Sequence, residues 1–288
     1  MRIAIATCEG PTEFDHQSEL VTPVLERMGH SVEKAVWADP AVDWASYDAA
    51  WISSTWDYFN RPDEFREWIA RAGVATRLHN PRVLVDWNID KRYLRELGGA
   101  GVPIVQTVWT MPELAASAAE TVGDLGWEKV VVKPTVDGGA FNLKLVDPGD
   151  VAAAVEGVGG PAMIQPFLPS VAEEGELSLI FFRGELSHAV HKAPKAGDFR
   201  VQEHWGGVFT QVDPPPEALA AGRVTLAAML SCSPIDEMPL YARVDLVRDP
   251  QGMLCTIELE VIEPSLYLEH VGPEKTEHFA RLLSDAAG

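Results

Sequence analysis

Residues 257–270 read IELEVIEPSLYLEH and place Glu258, Glu260 and Glu263 within six residues of an otherwise apolar segment. In a strand, side chains two apart share a face, so Glu258 and Glu260 stand side by side while Ile257, Leu259 and Val261 point the other way. Neighbouring carboxylates repel, so the pair suits a strand that is open to water or wrapped round something positive. A solvated face with ordinary alternation meets the first condition. A divalent cation meets the second, because Mg²⁺ prefers oxygen donors and commonly takes one or two carboxylates while keeping sites for phosphate.

Just upstream, YARVDLV (241–247) reads as a strand joined to LCTIELEV (254–261) through the turn at 249–252. Asp245 lies in the first of these. Arg243 precedes it by two and shares its face, placed either to pair with a nearby glutamate or to clamp a carboxylate bidentately. Farther upstream, VVVKPTVDGGAFNLKLV (130–146) sets Lys133 at the end of a very apolar strand, ahead of a turn containing Asp137, Gly138 and Gly139. A buried cation there needs an anionic partner. The N–H groups of such a turn can close on phosphate oxygens, although the same string also makes an ordinary hairpin.

The first third of the chain alternates strand and helix. RIAIAT, a helix over 17–28 ending at Gly29, SVEKAVW, DAAWISS and a helix over 63–72 form a βαβ-type layer with a parallel sheet. The pattern breaks around LHNPRVLVDWN, with Asn80 and Pro81 as the boundary. A helix is expected over 90–97, then the strand IVQTVW, a helix within 113–122, strands KVVVKP and LKLV, a helix over 150–158 and the strand AMIQPF. ELSLIFF, ELSHAVHK, a helix within 216–230, the two strands above and a helix over 273–286 complete the chain. Three spans follow: 1–80, 81–165 and 166–288.

With 23 Lys+Arg against 43 Asp+Glu the net charge is −20, which repels nucleic acid and anionic membranes. A polyanion such as a nucleotide would need a local cluster of cations and metal. The start MRIAIATCEG goes straight into a strand-like run without the succession of a signal peptide, and no apolar stretch is long enough to span a bilayer. Cys8, Cys232 and Cys255 have no metal-like spacing, so free thiols in a reducing cytoplasm are expected. The Walker-type phosphate loop is missing, and GVGGPA at 157–162 follows a helix where a dinucleotide fingerprint needs a strand. His188 and His191, three apart in a strand, point to opposite faces and read as satisfied or exposed histidines rather than metal ligands.

Four blocks, in order, resemble the ATP-grasp ligases of the glutathione synthetase and ribosomal S6 modification type. They are DWNIDKRYLRELGGAGVPIVQT (86–107), VVVKPTVDGGAFN (130–142), MIQPFLPSVAEEGELSLIFFRGELSHAVHKAPKAGDFRVQEHWGG (163–207), and YARVDLVRD with CTIELEVIEPS (241–265). The resemblance implies an α/β ATP-grasp fold, in which an N-terminal βαβ layer precedes two α+β subdomains that clasp ATP. Asp245, Glu258 and Glu260 match the Mg²⁺ ligands; the family often has Asn where Glu260 stands. Lys91 and Lys133 match phosphate-contacting lysines, with Asp137, Gly138 and Gly139 in the mobile glycine loop, which runs to Phe141. Gln165, Phe167 and Leu168 match the adenine hinge, and a ribose-binding acid is expected among Glu173, Glu174 and Glu176. Lys192 and Arg200 match cations facing the γ-phosphate, where oriented positive charge stabilises phosphoryl transfer. Arg243 joins them as a candidate catalytic residue.

The activity implied is ATP-dependent carbon–nitrogen ligation of a small amino-acid-like substrate through an acyl phosphate. STWDY (54–58) and GDFRVQ…GG further resemble compact ligases that include a cyclo-ligase, in which the substrate's own ureido nitrogen closes a five-membered ring and the carbamoyl group is lost. A two-substrate ligase forming a linear amide, a kinase-like relative and a non-catalytic nucleotide sensor are the alternatives, and a homo-oligomer is compatible with each. The loops at 7–15 and 55–58 leave the carboxyl ends of neighbouring strands, where open α/β sheets bind ligands. Glu9, Thr55 and Asp57 are therefore expected to face the substrate; the other reading is that STWDYFNRP caps the next helix and packs Trp56 inward.

Overall fold

The structure, a computed structural model, describes residues 1–10, 15–140, 142–195, 200–201 and 205–287. Phe141 of the glycine loop, residues 11–14 of the first substrate loop, and Gly197, Asp198 and Phe199 of the GDFR motif lie outside the described residues.

The first layer is a parallel sheet of β1 (Arg2–Thr7), β2 (Ser31–Val36), β3 (Ala49–Ser54) and β4 (Arg77–His79), in the order β2-β1-β3-β4. β1 and β3 are buried on both faces, which is why their sequences are continuous rather than alternating. Between the strands run α1 (His16–Arg27) and α2 (Pro62–Ala75). α2 starts on Pro62 with Asp63 and Glu64 in its first turn, and buries Phe65, Trp68, Ile69 and Ala72 along one stripe.

The segment read as a break is ordered: after β4 come α3 (Arg82–Asn88) and α4 (Tyr93–Gly99). α4 starts later than expected because the Asp90 side chain accepts the Arg92 N–H at 2.9 Å and holds a turn ahead of the helix. A second, antiparallel sheet contains β5 (Val108–Thr110), β6 (Val130–Pro134), β7 (Lys144–Val146) and β8 (Ala162–Pro166), in the order β5-β8-β6-β7, packed on α5 (Ala115–Asp124) and α6 (Val151–Glu156). β5 is shorter than expected; Ile104 instead forms an isolated bridge to Thr256.

After α7 (Pro169–Glu173), the third sheet is built from β9 (Glu176–Phe182), β10 (Glu185–Ala193), β11 (Val208–Val212), β12 (Tyr241–Arg248) and β13 (Leu254–Glu260). Its order is β11-β10-β9-β12-β13, all antiparallel. α8 (Pro216–Cys232) covers one face, with Gly222 close against Leu179 and Phe181. Leu84, Tyr93, Leu94 and Leu97 share this core with Phe181, Met229, Val244 and Leu246. Phe279 and Leu283 of α9 (Pro273–Ala287) pack with Ile3, Ile5 and Trp51, tying the first sheet to the third. The Tyr241 hydroxyl lies 2.9–3.2 Å from the carbonyls of Ile52, His79 and Ile262, so the ends of β3 and β4 meet the segment after β13 at one point.

Candidate active site

The β12–β13 pairing builds the acidic cluster. Asp245 stands opposite Glu258 and Arg243 opposite Glu260, with a one-residue bulge where Asp245 pairs Glu258 and Leu246 pairs Thr256. The bulge leaves Ile257 unpaired, and its side chain lines the neighbouring cleft. Oxygens of Asp245, Glu258 and Glu260 lie within 4.8 Å of one another. A set of three hard oxygen donors at that spacing fits Mg²⁺.

Cations thread between these carboxylates. Asp245 is 2 % exposed and accepts from Lys192 Nζ at 3.0 Å, from Arg243 Nε and Nη2 at 3.0 Å each, and from Ser178 Oγ at 2.5 Å. Burial alone would raise its pKa, but Arg243 and Lys192 hold it well below the usual carboxylate range. Arg243 also donates to Glu260 and to the Ser265 carbonyl. Its guanidinium is thus the counter-charge of the cluster, in line with the glutamate-pairing reading rather than with a free substrate clamp. Glu260 is pushed up to about 8 by burial, with Glu258 and Asp245 adding to the push against the pull of Arg243. A divalent cation among the three would relieve that repulsion.

Lys192 sits opposite Glu176 and pairs with it at 2.7 Å as well as with Asp245. Burial favours its neutral form, yet the two carboxylates outweigh this and raise its pKa. Lys91 pairs with Glu258 at 3.1 Å and donates to the Asp137 carbonyl at 2.5 Å. Against burial, Glu258 and Asp137 raise the pKa of Lys91; Lys91 and Lys133 in turn pull Glu258 down against burial. Lys133 reaches the same cleft from β6, and burial lowers its pKa despite the Glu258 charge. Asp137 is itself raised by burial, and its side chain accepts from Asn142 at 3.0 Å.

Beside the cluster opens a cleft lined by Lys133, Gln165, Phe167, Leu168, Glu176, Arg200 and Ile257. Its apolar wall joins Val105, Leu168, Val171, Val201 and Cys255. Gln165 bonds Thr107 at 3.0 Å, and the Phe167 N–H is taken by the Lys129 carbonyl at 2.8 Å. Of the candidate ribose acids only Glu176 lines this cleft; Glu173 is exposed and Glu174 pairs with Arg248 at 3.6 Å. The Arg200 guanidinium stacks on Trp205 at 3.4 Å, and Trp205 donates to the Gly139 carbonyl at 3.2 Å. Gly138 lies against Phe59, where a Cβ would come within 3.1 Å of the ring. The contacts of Phe59 and Trp205 with the glycine loop carry no sequence signal, because they join segments far apart in the chain.

Of the residues expected to face the substrate, Glu9 is exposed and Thr55 is fully buried, its hydroxyl without a hydrogen-bond partner among the described residues. Asp57 is not presented to the cleft as a free carboxylate: Trp37 Nε1 donates to one oxygen at 2.6 Å and Arg61 to the other at 2.5 Å. Glu263 is pushed up to about 7 by burial, partly offset by Arg243 and Lys91. His188 is buried with Nε2 donating to the Leu266 carbonyl at 2.7 Å, and His191 bonds the Glu174 carbonyl, so both histidines are satisfied by backbone.

A cleft lined from two antiparallel sheets, behind a parallel sheet at the start of the chain, defines a class. The ATP-grasp ligase PsnB, solved with a phosphomimetic variant of its minimal precursor, Mg and ADP, superposes with a TM-score of 0.68 at 14 % identity over 99 % of this chain and 98 % of that one, and shares the fold. The chain is an ATP-grasp ligase. It belongs to the D-cycloserine synthetase DcsG family, as shown by 33 % identity over 273 residues to the cycloserine biosynthesis protein DcsG of Streptomyces lavendulae, covering 90 % of this chain and 89 % of that protein. Residues 3–80 match the family described as D-cycloserine synthetase DcsG, N-terminal domain. The crystal structure of D-cycloserine synthetase DcsG superposes over 100 % of both chains with a TM-score of 0.91 at 28 % identity.

Proposed function

We propose that this ligase closes O-ureido-D-serine to D-cycloserine at the expense of ATP, through an acyl phosphate on the serine carboxylate. The observation that carries the reading is the convergence of Asp245, Glu258 and Glu260 with Lys91, Lys133, Lys192 and Arg243 at one end of the cleft. The cleft's other end is the apolar hinge pocket.

Residues 165–168 hold the adenine, Glu176 the ribose, and Lys91 and Lys133 the phosphates. Asp245, Glu258 and Glu260 hold Mg²⁺, which when bound neutralises charge on the phosphates. Arg200 stands at the mouth as a cation for the transferring phosphoryl group, while Lys192 and Arg243 keep the carboxylates ionised and oriented. The glycine loop, pinned by Lys91, Phe59 and Trp205, excludes water from the acyl phosphate. The ureido nitrogen bonded to oxygen then attacks the activated carbonyl, phosphate leaves, and water removes the carbamoyl group as carbon dioxide and ammonia. Glu9 and Thr55 lie on the side where the ureido group enters, and Asp57 positions that loop through Trp37 and Arg61.

No helix among the described residues is long and apolar enough to cross a membrane, and the cysteines are free, as a reducing cytoplasm would keep them. The test is product analysis with ATP, Mg²⁺ and O-ureido-D-serine, with and without an added amine. Ring formation without the amine is expected. A linear amide that forms only with the amine would replace this reading by a two-substrate ligase, and no ADP release with any amino acid would favour a kinase or a sensor.

A further inference from the structure

The tip of the glycine loop is wound against its own preference. Gly139 and Ala140 both stand in the left-handed region, at φ +63° and +58°. The second carries a Cβ, and such a backbone persists only where its surroundings fix it. The loop is gripped from outside: Lys91 Nζ donates to the Asp137 carbonyl at 2.5 Å, the Phe59 ring lies against Gly138, and Trp205 Nε1 donates to the Gly139 carbonyl at 3.2 Å.

Trp205 does more than grip. The Arg200 guanidinium lies 3.4 Å from the centre of the same indole, well inside cation–π range. Arg200 lines the cleft beside Lys133 and Ala140. Buried Val201 anchors the adjoining backbone in the apolar wall with Leu168 and Val171, and Gly206, at φ +84°, turns the chain directly after the indole. A single side chain thus touches both the cation assigned to the phosphoryl group and the carbonyl at the tip of the loop. Its face serves the first and its N–H the second.

We propose that Trp205 is a positioning residue that makes the placement of Arg200 conditional on closure of the glycine loop. With the loop shut, the Gly139 carbonyl fixes the plane of the indole, and the indole holds the guanidinium at the cleft. With the loop open, the indole is released and Arg200 with it. Charge stabilisation is then supplied only where water is shut out. Without the link the two events separate, and acyl phosphate forms in an open site. Water then adds to the acyl carbon, the C–O bond to phosphate breaks with its electron pair, and the substrate acid is regenerated with inorganic phosphate and a proton. The proposal rests on the acyl-phosphate ligase reading and adds the residue that keeps ATP from being wasted.

The test compares wild type with Trp205→Phe, which keeps an aromatic face for Arg200 and loses the N–H. It has two readouts: hydrogen exchange of the amides at 138–140 with ADP and Mg²⁺ bound, and ADP released per cyclic product with ATP, Mg²⁺ and O-ureido-D-serine. Wild type is expected to release about one ADP per cyclic product, water being excluded. In Trp205→Phe loop exchange should rise about two- to tenfold, the worth of one hydrogen bond, and ADP per cyclic product should rise about twofold or more. A role confined to folding would lower the melting temperature and kcat and leave ADP per cyclic product unchanged. Either readout at its wild-type value overturns the link. Coupling is reciprocal, so Arg200→Ala should also loosen the same amides, by about two- to fivefold. Unchanged protection in Arg200→Ala overturns the link whether or not Trp205→Phe folds. The exchange readout needs no substrate: if wild type makes no cyclic product, the cyclo-ligase reading fails and exchange in the two variants alone decides the link. A cyclic product at the same ADP cost in wild type and Trp205→Phe does the reverse.

Discussion

At Glu258 the chemistry is set by which charge stands nearest. Burial would protonate this carboxylate, and Lys91 at 3.1 Å together with Lys133 keeps it ionised, as the proposed metal site requires. Glu258→Gln keeps size and hydrogen bonding but removes the charge, so turnover should fall by about a hundredfold or more while the melting temperature changes little. Wild-type turnover in that variant would remove Glu258 from the metal site. Asp57 argues differently. With both oxygens engaged by Trp37 and Arg61, its replacement by Ala should cost about 1–2 kcal/mol of stability, and raise the KM for the amino acid more than that for ATP. Denaturant titration and separate KM values check this; unchanged stability would mean the two bonds contribute nothing. The charged residues on β12 and β13 were legible in the sequence because a period of two decides faces. The occupation of Asp57 was not, since Trp37 follows β2 and Asp57 follows β3, with β1 between those strands, and no local pattern records such a contact.

At the scale of elements, the hairpin that carries the acidic cluster depends on how its outer edge is closed. β13 is the last strand of its sheet, and an open edge leaves backbone groups unpaired. Here Asn88 donates to the Leu259 carbonyl at 2.9 Å and accepts the Val261 N–H at 3.1 Å, imitating a neighbouring strand. Asn80 donates to the carbonyls of Val261 and Tyr241, and the Tyr93 hydroxyl accepts the Leu259 N–H. Asn88→Ala should therefore destabilise by about 2–3 kcal/mol, two buried backbone groups being left unpaired. Amide exchange of Val261 should accelerate, and unchanged protection there would show that the side chain does not hold the edge. The strands and longer helices were readable from periodicity. The stretch around LHNPRVLVDWN was not, because Asn80 and Asn88 are chosen for the backbone they cap rather than for a helical stripe. On α8, Gly222 gave no signal either, yet a Cβ there would stand 2.6 Å from Leu179. Gly222→Ala should cost about 1–3 kcal/mol through overpacking, read from a lowered denaturation midpoint.

Across the whole molecule, the first and third sheets are joined by apolar packing of α9 and by buried polar groups, among them His188 on the Leu266 carbonyl. Burial lowers the pKa of His188 to about 4. The unfolded chain therefore takes up that proton first, near pH 6.5, so the stability linked to this histidine is complete above that pH and is lost as pH falls toward 4. Glu260 and Glu263, raised to about 8 and about 7, run in the opposite direction over part of that range. The histidine's share is accordingly read by difference: the stability gap between wild type and His188→Gln should shift against wild type by about 3 kcal/mol between roughly pH 7 and pH 4. A gap independent of pH would mean that His188 is not held neutral. The proposed function makes one claim about the whole molecule, that the substrate's carboxylate is activated by ATP. The most direct measurement is turnover of O-ureido-D-serine labelled with oxygen-18 in its carboxylate, followed by phosphorus NMR of the phosphate released. The account predicts one label carried into each phosphate, with formation of the ring in the absence of any added amine. Phosphate free of label, released while the ring forms, would contradict it.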